Sequence, residues 1–239
     1  MEWHIGCSGF HYKHWKGTFY PDDMPQKKWF DFYAQHFNTL ELNVTFYRFP
    51  RLPVLRNWYD QAPKNFQFSV KAPKAITHFK QFHNTVDMMS DFYGTIRAGL
   101  ADKLGPVLFQ LPPRLRYEPE RLQRILNQMD PSFNNVLEFR HASWWQAEVF
   151  EQLAARQVSF CGMSHPELPA EVVVNSPVVY YRFHGVPNLY TSSYSRDDMQ
   201  LVIDKVRGKP NIKQAWFYFN NDAAVAAIPN AELMMKLTK

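Results

Sequence analysis

Short apolar segments that end in polar residues recur along this chain, and this recurrence restricts the fold more than any other feature. In the segment Val136–Arg140, Leu137 and Phe139 point to one face of an extended chain, whereas Glu138 and Arg140 share the opposite face. Burying a carboxylate and a guanidinium is costly unless both are paired, so this face is predicted to line a site. The alternative is a Glu138–Arg140 ion pair that only neutralises itself.

The same alternation predicts eight strands, and most of them carry polar side chains at the carboxyl end. The predicted strands are Trp3–Ser8, Thr39–Asn43, Phe66–Lys71, Val107–Leu111, Val136–Arg140, Val158–Cys161, Val178–His184 and Gln214–Asn220. The polar residues at their ends are Ser8, Glu41, Asn43, Lys71, Gln110, Glu138, Arg140, Arg182, His184 and Asn220.

Helical patterns separate these strands. The predicted helices are Gln26–Phe37, Leu52–Gln61, Asn84–Leu104, Glu118–Met129, Ser143–Ala155, Ser195–Arg207 and a last helix that ends at Lys239. Ser143, Ser195 and Asp222 are predicted to cap the helices that follow them, because a side-chain oxygen accepts a hydrogen bond from an unpaired amide. Gly105-Pro106 is predicted to end the third helix before its strand begins. Residues 162–176, with two prolines, are predicted to be irregular.

About eight strand-and-helix units in 239 residues predict an α/β fold, a (β/α)8 TIM barrel that forms a single domain over residues 1–239. In such a barrel the carboxyl ends of the strands form the site. An open doubly wound sheet has the same alternation of elements, but its polar strand ends cluster near one switch point. Polar ends on strands throughout the chain favour the closed barrel.

Composition sets broader limits. Hydrophobic residues make up 46% of the chain and aromatic residues 16%, which is enough for a large core. No signal-peptide pattern and no membrane-spanning stretch is found, so the protein is expected to be soluble and cytoplasmic, without a membrane partner. Cys7 and Cys161 are predicted to be free thiols. The 27 basic and 22 acidic residues give a net charge of +5, which favours an anionic partner, but their scatter disfavours a dedicated nucleic-acid surface.

Glu41, Glu138 and His184 are the candidate catalytic residues. Two glutamates in different surroundings can act as general acid and general base, and a histidine can carry a proton near neutral pH. His184 is preferred to His141 for that role. The alternative is that each glutamate is neutralised by its own basic neighbour.

The remaining strand ends suit the binding of an anion. Lys71, Arg140 and Arg182, with Asn43 and Asn220, can hold a phosphate or carboxylate, for which a guanidinium offers two parallel hydrogen bonds. Ser8, Gln110 and His141 are further candidate substrate-binding residues. The aromatic side chains predicted to stack on a ligand, or else to pack within loops, are Tyr12, Trp15, Tyr47, Tyr190 and Tyr194.

No metal and no tightly bound organic cofactor is predicted. A metal site needs three or more clustered ligands, and here Glu41, Glu138, His184 and Asp222 are diluted by lysine and arginine. Signatures for nucleotide-binding loops, zinc proteases and nucleophile elbows are absent. Elemental analysis of the purified protein is therefore expected to find no stoichiometric zinc or iron.

The ordered motifs resemble the YecE-like family, whose members carry a domain of unknown function. The motifs are Gly6-Cys7-Ser8-Gly9-Phe10, Trp15 with Gly17, Phe19-Tyr20-Pro21, Glu41-Leu42-Asn43 with Thr45-Phe46-Tyr47, Phe68-Ser69-Val70-Lys71, Thr77-His78, Leu108-Phe109-Gln110-Leu111-Pro112-Pro113, Glu138-Phe139-Arg140-His141 with Trp144, Tyr181-Arg182-Phe183-His184-Gly185, Tyr194-Ser195 and Phe219-Asn220-Asn221-Asp222. This resemblance implies a TIM barrel with a shared pocket, but no reaction. The family's barrel is similar to those of phosphodiester-cleaving repair enzymes and sugar isomerases at the level of the fold alone. Family members commonly carry an acidic residue soon after the sixth strand, where this chain reads Gly162-Met163-Ser164-His165-Pro166.

Three functions are consistent with these features. The leading hypothesis is an enzyme, such as a hydrolase or isomerase, that acts on a small anionic substrate, phosphorylated or sugar-like, by Glu and His proton transfer. The second is a nucleic-acid-acting enzyme of the phosphodiester-cleaving or repair type, which would bind with a steep dependence on salt. The third is a non-catalytic anion-binding module. The sequence does not specify the substrate or the oligomeric state.

Overall fold

The computed structural model describes residues 1–239, and it confirms the predicted barrel. Eight parallel strands follow one another in the order β1-β8-β7-β6-β5-β4-β3-β2. The strands are β1 (Glu2–Cys7), β2 (Thr39–Leu42), β3 (Gln67–Lys71), β4 (Leu104–Gln110), β5 (Asn135–Glu138), β6 (Ser159–Ser164), β7 (Val178–Phe183) and β8 (Gln214–Phe219). The helices are α1 (Trp29–His36), α2 (Val44–Tyr47), α3 (Leu52–Gln61), α4 (Val86–Leu100), α5 (Pro119–Leu126), α6 (Ala147–Ala155), α7 (Arg196–Arg207) and α8 (Ala227–Thr238). No helix joins β6 to β7, and none of the helices combines the length and the apolar character needed to cross a membrane.

The barrel has two apolar compartments. The larger one packs the outer faces of the strands against the helices, as expected for this fold. The smaller one fills the inside of the barrel with residues Leu108, Val136, Cys161, Tyr180, Trp216 and Tyr218. Because side chains alternate along a strand, the residue two positions after such a core residue also points into the barrel. It lies in the next layer, nearer to the carboxyl end of the strand. The barrel interior therefore ends in a layer of side chains rather than in a channel.

The barrel closes at a seam between β1 and β2. A single bridge joins Ser8 to Glu41 there, and the amide of Gly9 donates to the carbonyl of Glu41 at 3.0 Å. Below the bridge, the hydroxyl of Tyr33 in α1 accepts from the amide of Cys7 at 2.7 Å and donates to the carbonyl of Thr39 at 3.0 Å. A side chain thus replaces the missing ladder bonds, so the buried backbone groups at the seam stay paired.

Changing Gly6 to Ala should disrupt this seam. A Cβ at Gly6 would lie 2.2 Å from the carbonyl oxygen of Thr39 and 2.8 Å from the hydroxyl of Tyr33. Overpacking of this kind lowers the free energy of unfolding by about 1 to 3 kcal/mol. As a control, Gly94→Ala in α4 meets no atom within 4 Å and should raise it by about 0.5 to 1 kcal/mol. Urea unfolding of both variants checks this expectation, and equal stabilities would contradict it.

The predicted strand positions agree with the structure to within a few residues, with two larger differences. The predicted break at Gly105-Pro106 is wrong, because β4 begins at Leu104 and contains both residues. The register between β3 and β4 shifts between Phe68 and Val70, which accommodates a proline that cannot donate to the ladder. Residues 162–164, predicted to be irregular, extend β6.

One of the three predicted helix caps is confirmed. The hydroxyl of Ser195 accepts from the amide of Asp198, whose carboxylate accepts in return, so Ser195 caps α7. Ser143 does not cap α6, because it lies in a 3-10 turn and accepts from the amide of Tyr117 instead. Asp222 does not cap α8, since its carboxylate accepts from the indole of Trp15 and that helix begins five residues later.

Candidate functional site

Arg182 is the centre of a charged network at the carboxyl ends of the strands. Its guanidinium donates to Glu138 Oε2 at 2.6 Å, to Glu41 Oε1 at 2.7 Å and to Ser8 Oγ at 2.9 Å. The side chain is buried, and the three partners belong to β5, β2 and the end of β1. Arg182 therefore acts as the counter-ion of both glutamates, and an anion would have to displace one of them to reach it.

Glu41 has both carboxylate oxygens occupied. Oε2 accepts from the hydroxyl of Tyr180 at 2.6 Å, and Oε1 accepts from Ser8 as well as from Arg182. The amide of Asn43 donates to Ser8 Oγ at 2.8 Å, which fixes the direction of the serine hydroxyl. These contacts hold Glu41 and Ser8 in one orientation at the seam of the barrel.

Glu138 is held as an anion. Its Oε1 accepts from Nε of Arg140, while Oε2 accepts from Arg182. Burial is the largest single effect and alone would raise the pKa of Glu138, but the charges of Arg140 and Arg182 together lower it well below its usual range. Glu138 is therefore ionised at neutral pH and acts as a fixed negative charge, not as a proton donor.

His184 is a neutral, fully buried ring. A guanidinium can only donate, so Nε2 accepts from Arg140 at 3.1 Å and the ring proton lies on Nδ1. The side-chain amide of Asn220 lies 3.1 Å from Nδ1 and accepts this proton when its oxygen is turned towards the ring. Burial first, and then the charges of Arg140 and Arg182, lower the pKa of His184 well below its ordinary value. These contacts favour a positioning role, because His184 can take a proton only by giving up Arg140.

Lys71 differs from the other buried charges of the site. It ends β3 and is 7% exposed, with Nζ 4.3 Å from the centre of the Phe46 ring. Nζ donates to no protein acceptor and forms no ion pair. Burial, followed by the charge of Arg182, lowers the pKa of Lys71 to about 7. It is the one buried cation of the network without an anionic partner.

Further positive charge surrounds His78, in a π-helical turn (Ala75–Phe79) after β3. Burial, followed by the charge of Lys71 and helped by Arg114 and Lys74, lowers the pKa of His78 to about 4. The sequence did not point to Lys74, His78, Arg114 or Phe46 as site residues. All four lie in segments that directly follow β2, β3 or β4, which is the signal that could have identified them.

Aromatic side chains line the rim of the site. Tyr47 and Phe79 are 67% and 72% exposed, and Nζ of Lys74 lies 5.4 Å from the centre of each ring. Tyr12 and Tyr47 also line a cavity of about 450 Å³ that reaches Glu41. The rim therefore offers ring faces next to a cation.

Trp15 and Tyr194 were predicted either to stack on a ligand or to pack within loops, and both rings pack within the fold. Trp15 has no exposed surface, and its indole donates to Asp222. Tyr194 is buried against Phe183, and its hydroxyl accepts from the amide of Gly185 at 2.8 Å. Trp15 therefore presents no face to a ligand, whereas Tyr194 also borders a cavity of about 450 Å³ that His165 lines.

The remaining candidates lie at the end of the barrel where the carboxyl ends of the strands meet, which we call the mouth. Gln110 ends β4 and is partly exposed, as is His141, whose ring accepts from the amide of Ser143 at 3.2 Å. The ring of Tyr190 is 42% exposed and lies 6.2 Å from that of His184. No three His, Cys, Asp or Glu side chains converge as metal ligands do. The neighbours of Glu41 and Glu138 are guanidinium groups, and the expected absence of zinc and iron stays a prediction.

The fold and this charged mouth define a TIM-barrel protein of the kind whose site lies at the carboxyl ends of its strands. The family model described as "Protein of unknown function DUF72" matches residues 4–239, and the chain belongs to this family.

Two curated relatives and one solved structure illustrate the similarity. UPF0759 protein YecE of Escherichia coli (strain K12) is 30% identical over 145 residues, which are 59% of this chain and 52% of that protein. UPF0759 protein YunF of Bacillus subtilis (strain 168) is 29% identical over 143 residues, 56% of this chain and 50% of that protein. Each match thus spans about half the length of the curated relative. The crystal structure of a DUF72 family protein from Thermotoga maritima MSB8 superposes with a TM-score of 0.90 at 24% identity, covering 100% of this chain and 99% of that one.

Proposed function

We propose that this protein is an enzyme that binds a small anionic molecule, phosphorylated or sugar-like, at the barrel mouth. The observation that carries the proposal is the unpaired charge of Lys71, next to Lys74 and Arg114 around His78. Cations that have no protein partner and are partly desolvated are the groups that bind phosphate and carboxylate. Arg182, by contrast, holds the two glutamates in place.

The network explains how an anion would be recognised. Two carboxylates, Glu41 and Glu138, face two guanidinium groups, Arg140 and Arg182, so the network itself is close to neutral. The net charge of the buried site then depends on Lys71. An anion bound beside Lys71 would favour its ammonium form and raise its pKa, so binding should take up a proton above neutral pH.

Proton transfer is assigned mainly to Lys71. General acid–base catalysis works best when the pKa of the group is close to the working pH, and Lys71 meets that condition. Glu41 and Glu138 then serve as fixed negative charges, and His184 orients Arg140. If the same site binds an anion but does not convert it, the protein is instead a non-catalytic anion-binding module.

A nucleic-acid substrate is the second candidate. Lys74 between the exposed rings of Tyr47 and Phe79 supports it, since single strands bind through stacked bases and neutralised phosphates. Binding of a single-stranded oligonucleotide that weakens steeply with added salt, while inorganic phosphate fails to compete, would favour this candidate over the small anion.

Two charge-matched double variants test the anion site. Lys74→Gln with Arg114→Gln removes two charges at the mouth, and Lys64→Gln with Lys209→Gln removes two exposed charges from segments that precede β3 and β8, at the other end of the barrel. Calorimetric titration with phosphate should show about tenfold weaker binding for the first variant only, since each exposed charge contributes roughly 0.2 to 1 kcal/mol. Equal weakening in both variants, or no phosphate binding by the wild type, would contradict the proposal.

A further inference from the structure

Lys71 is placed where substrate chemistry occurs in barrel enzymes. It is the last residue of β3, and its amine lies over the ring of Phe46, which also contacts the ring of His78 at 5.0 Å. Nζ has neither a hydrogen bond nor an ion pair within the protein. The amine is therefore free to react with a group that enters the mouth.

Lys103 shows how this protein stabilises a lysine that has only a structural role. It is buried to the same degree, at 8% exposure, but its Nζ donates to the carbonyls of Tyr59 and Ala62, both at 2.6 Å, and lies 4.5 Å from the Tyr59 ring. Lys71 has the ring contact without the acceptors. A buried amine without acceptors does not stabilise the fold. A desolvated lysine of this kind is suited to act as a nucleophile.

The charges around Lys71 match the needs of such a nucleophile. Glu41 and Glu138 are both paired with arginines, so neither binds the amine. Burial and Arg182 lower the pKa of Lys71 to about 7, so about half of it is free amine at neutral pH. An exposed lysine at the same pH has on the order of one free amine in a thousand. The two carboxylates still favour a cation at this position, which suits an iminium.

We propose that Lys71 forms a covalent imine with an aldehyde or ketone group of the substrate, which rests on the proposed function for the substrate's anionic group. The lone pair of Nζ attacks the carbonyl carbon, a C–N bond forms as the C=O π bond breaks, and one proton passes from nitrogen to the oxygen to give a neutral carbinolamine. Nitrogen then loses a proton, the oxygen takes a second one and leaves as water, and a C=N bond results. Amine and carbonyl give imine and water, with no change of oxidation state.

The two ends of the substrate would contact different residues. The carbonyl carbon reaches Lys71, and the phosphate or carboxylate lies towards Lys74 and Arg114, which follow β3 and β4. A short phosphorylated aldehyde or ketone fits this arrangement. Glyceraldehyde 3-phosphate is a suitable probe, and glyceraldehyde is the same aldehyde without the anionic group.

Borohydride trapping tests the imine. Wild-type protein is mixed near neutral pH with limiting glyceraldehyde 3-phosphate and sodium borohydride, and the reduced adduct is located by peptide mass spectrometry. We expect the adduct at Lys71 to exceed that at any other lysine at least tenfold, because its lowered pKa leaves far more free amine than an exposed lysine has at this pH. None is expected at Lys103, whose amine donates to two carbonyls. Excess inorganic phosphate should suppress it. Lys71→Arg, which keeps the charge, should bind phosphate and yield no adduct above the background of exposed lysines.

The outcomes separate this inference from the proposed function. An adduct at Lys71 no greater than at exposed lysines, with phosphate binding intact, would overturn the imine and leave the anion site standing. Equal trapping of glyceraldehyde and glyceraldehyde 3-phosphate at Lys71, without competition by phosphate, would support the nucleophile and contradict the anion site.

Discussion

Replacing Arg182 with Met should lower the free energy of unfolding by about 3 to 5 kcal/mol. Methionine keeps much of the buried volume, but it removes the charge that pairs with both Glu41 and Glu138. Two buried carboxylates are then left with too few partners, and one must protonate or draw in water. Urea unfolding near neutral pH measures the loss.

An exposed arginine gives the control for this prediction. Arg97 pairs with Asp130 at 3.8 Å on the surface, so Arg97→Met should change the free energy of unfolding by less than about 1 kcal/mol. A similarly small effect of Arg182→Met, together with complete loss of phosphate binding, would contradict the pairing role and place Arg182 in contact with the anion.

The Arg182→Met effect should also depend on pH. In the wild type the folded-state pKa of Glu138 lies well below its usual range, so its contribution to stability is present above the unfolded pKa of about 4.3 and is lost as pH falls through the folded value. The variant lacks part of that contribution. The difference between the two proteins should therefore shrink below about pH 4, as measured by unfolding across the acid range.

Replacing Lys71 with Met should have the opposite sign and stabilise the protein. The folded-state pKa of about 7 lies below the ordinary value of 10.5, so between these values the unfolded chain binds a proton that the folded chain lacks. Wild-type stability must then rise with pH over this range, and the cost of burying the ammonium is complete below about pH 7. Lys71→Met removes that cost, which is roughly 3 to 5 kcal/mol near pH 6 and fades towards pH 10.

Lys103→Met is the matched control. Its two carbonyl acceptors lose their donor, so this variant should be destabilised by about 1 to 3 kcal/mol. Thermal and urea unfolding at two pH values compare the variants. Destabilisation of both variants by a similar amount near pH 6 would show that Lys71 is a structural residue. A charge retained at a cost in stability is, in contrast, typical of a functional site.

Local patterns predicted the strands and the barrel well, because a period of two residues and the order of elements are properties of the sequence alone. The seam between β1 and β2 could not be predicted. It depends on Tyr33, a helical residue whose hydroxyl reaches a strand amide 26 positions away. No local signal distinguishes that tyrosine from an ordinary core residue of α1.

The site was predicted in its residue types but not in its pairings. Strand ends indicated Glu41, Glu138 and Arg182, yet the bond from Arg182 to Glu41 joins residues 141 positions apart and follows only from the closed barrel. Lys71 looked like any other cation at a strand end. Its lack of a partner became visible only once the arginines were seen to occupy both glutamates.

Calorimetric titration with sulfate near pH 8, in two buffers of different ionisation enthalpy, shows whether Lys71 forms part of an anion site. Sulfate does not titrate in this range, so any proton taken up on binding comes from the buffer and enters the protein. A bound anion beside Lys71 should raise its pKa, so sulfate is expected to bind with uptake of most of a proton per site. Lys71→Arg should bind sulfate without this uptake. Absence of sulfate binding, or binding by the wild type with no proton uptake, would contradict an anion site built around Lys71.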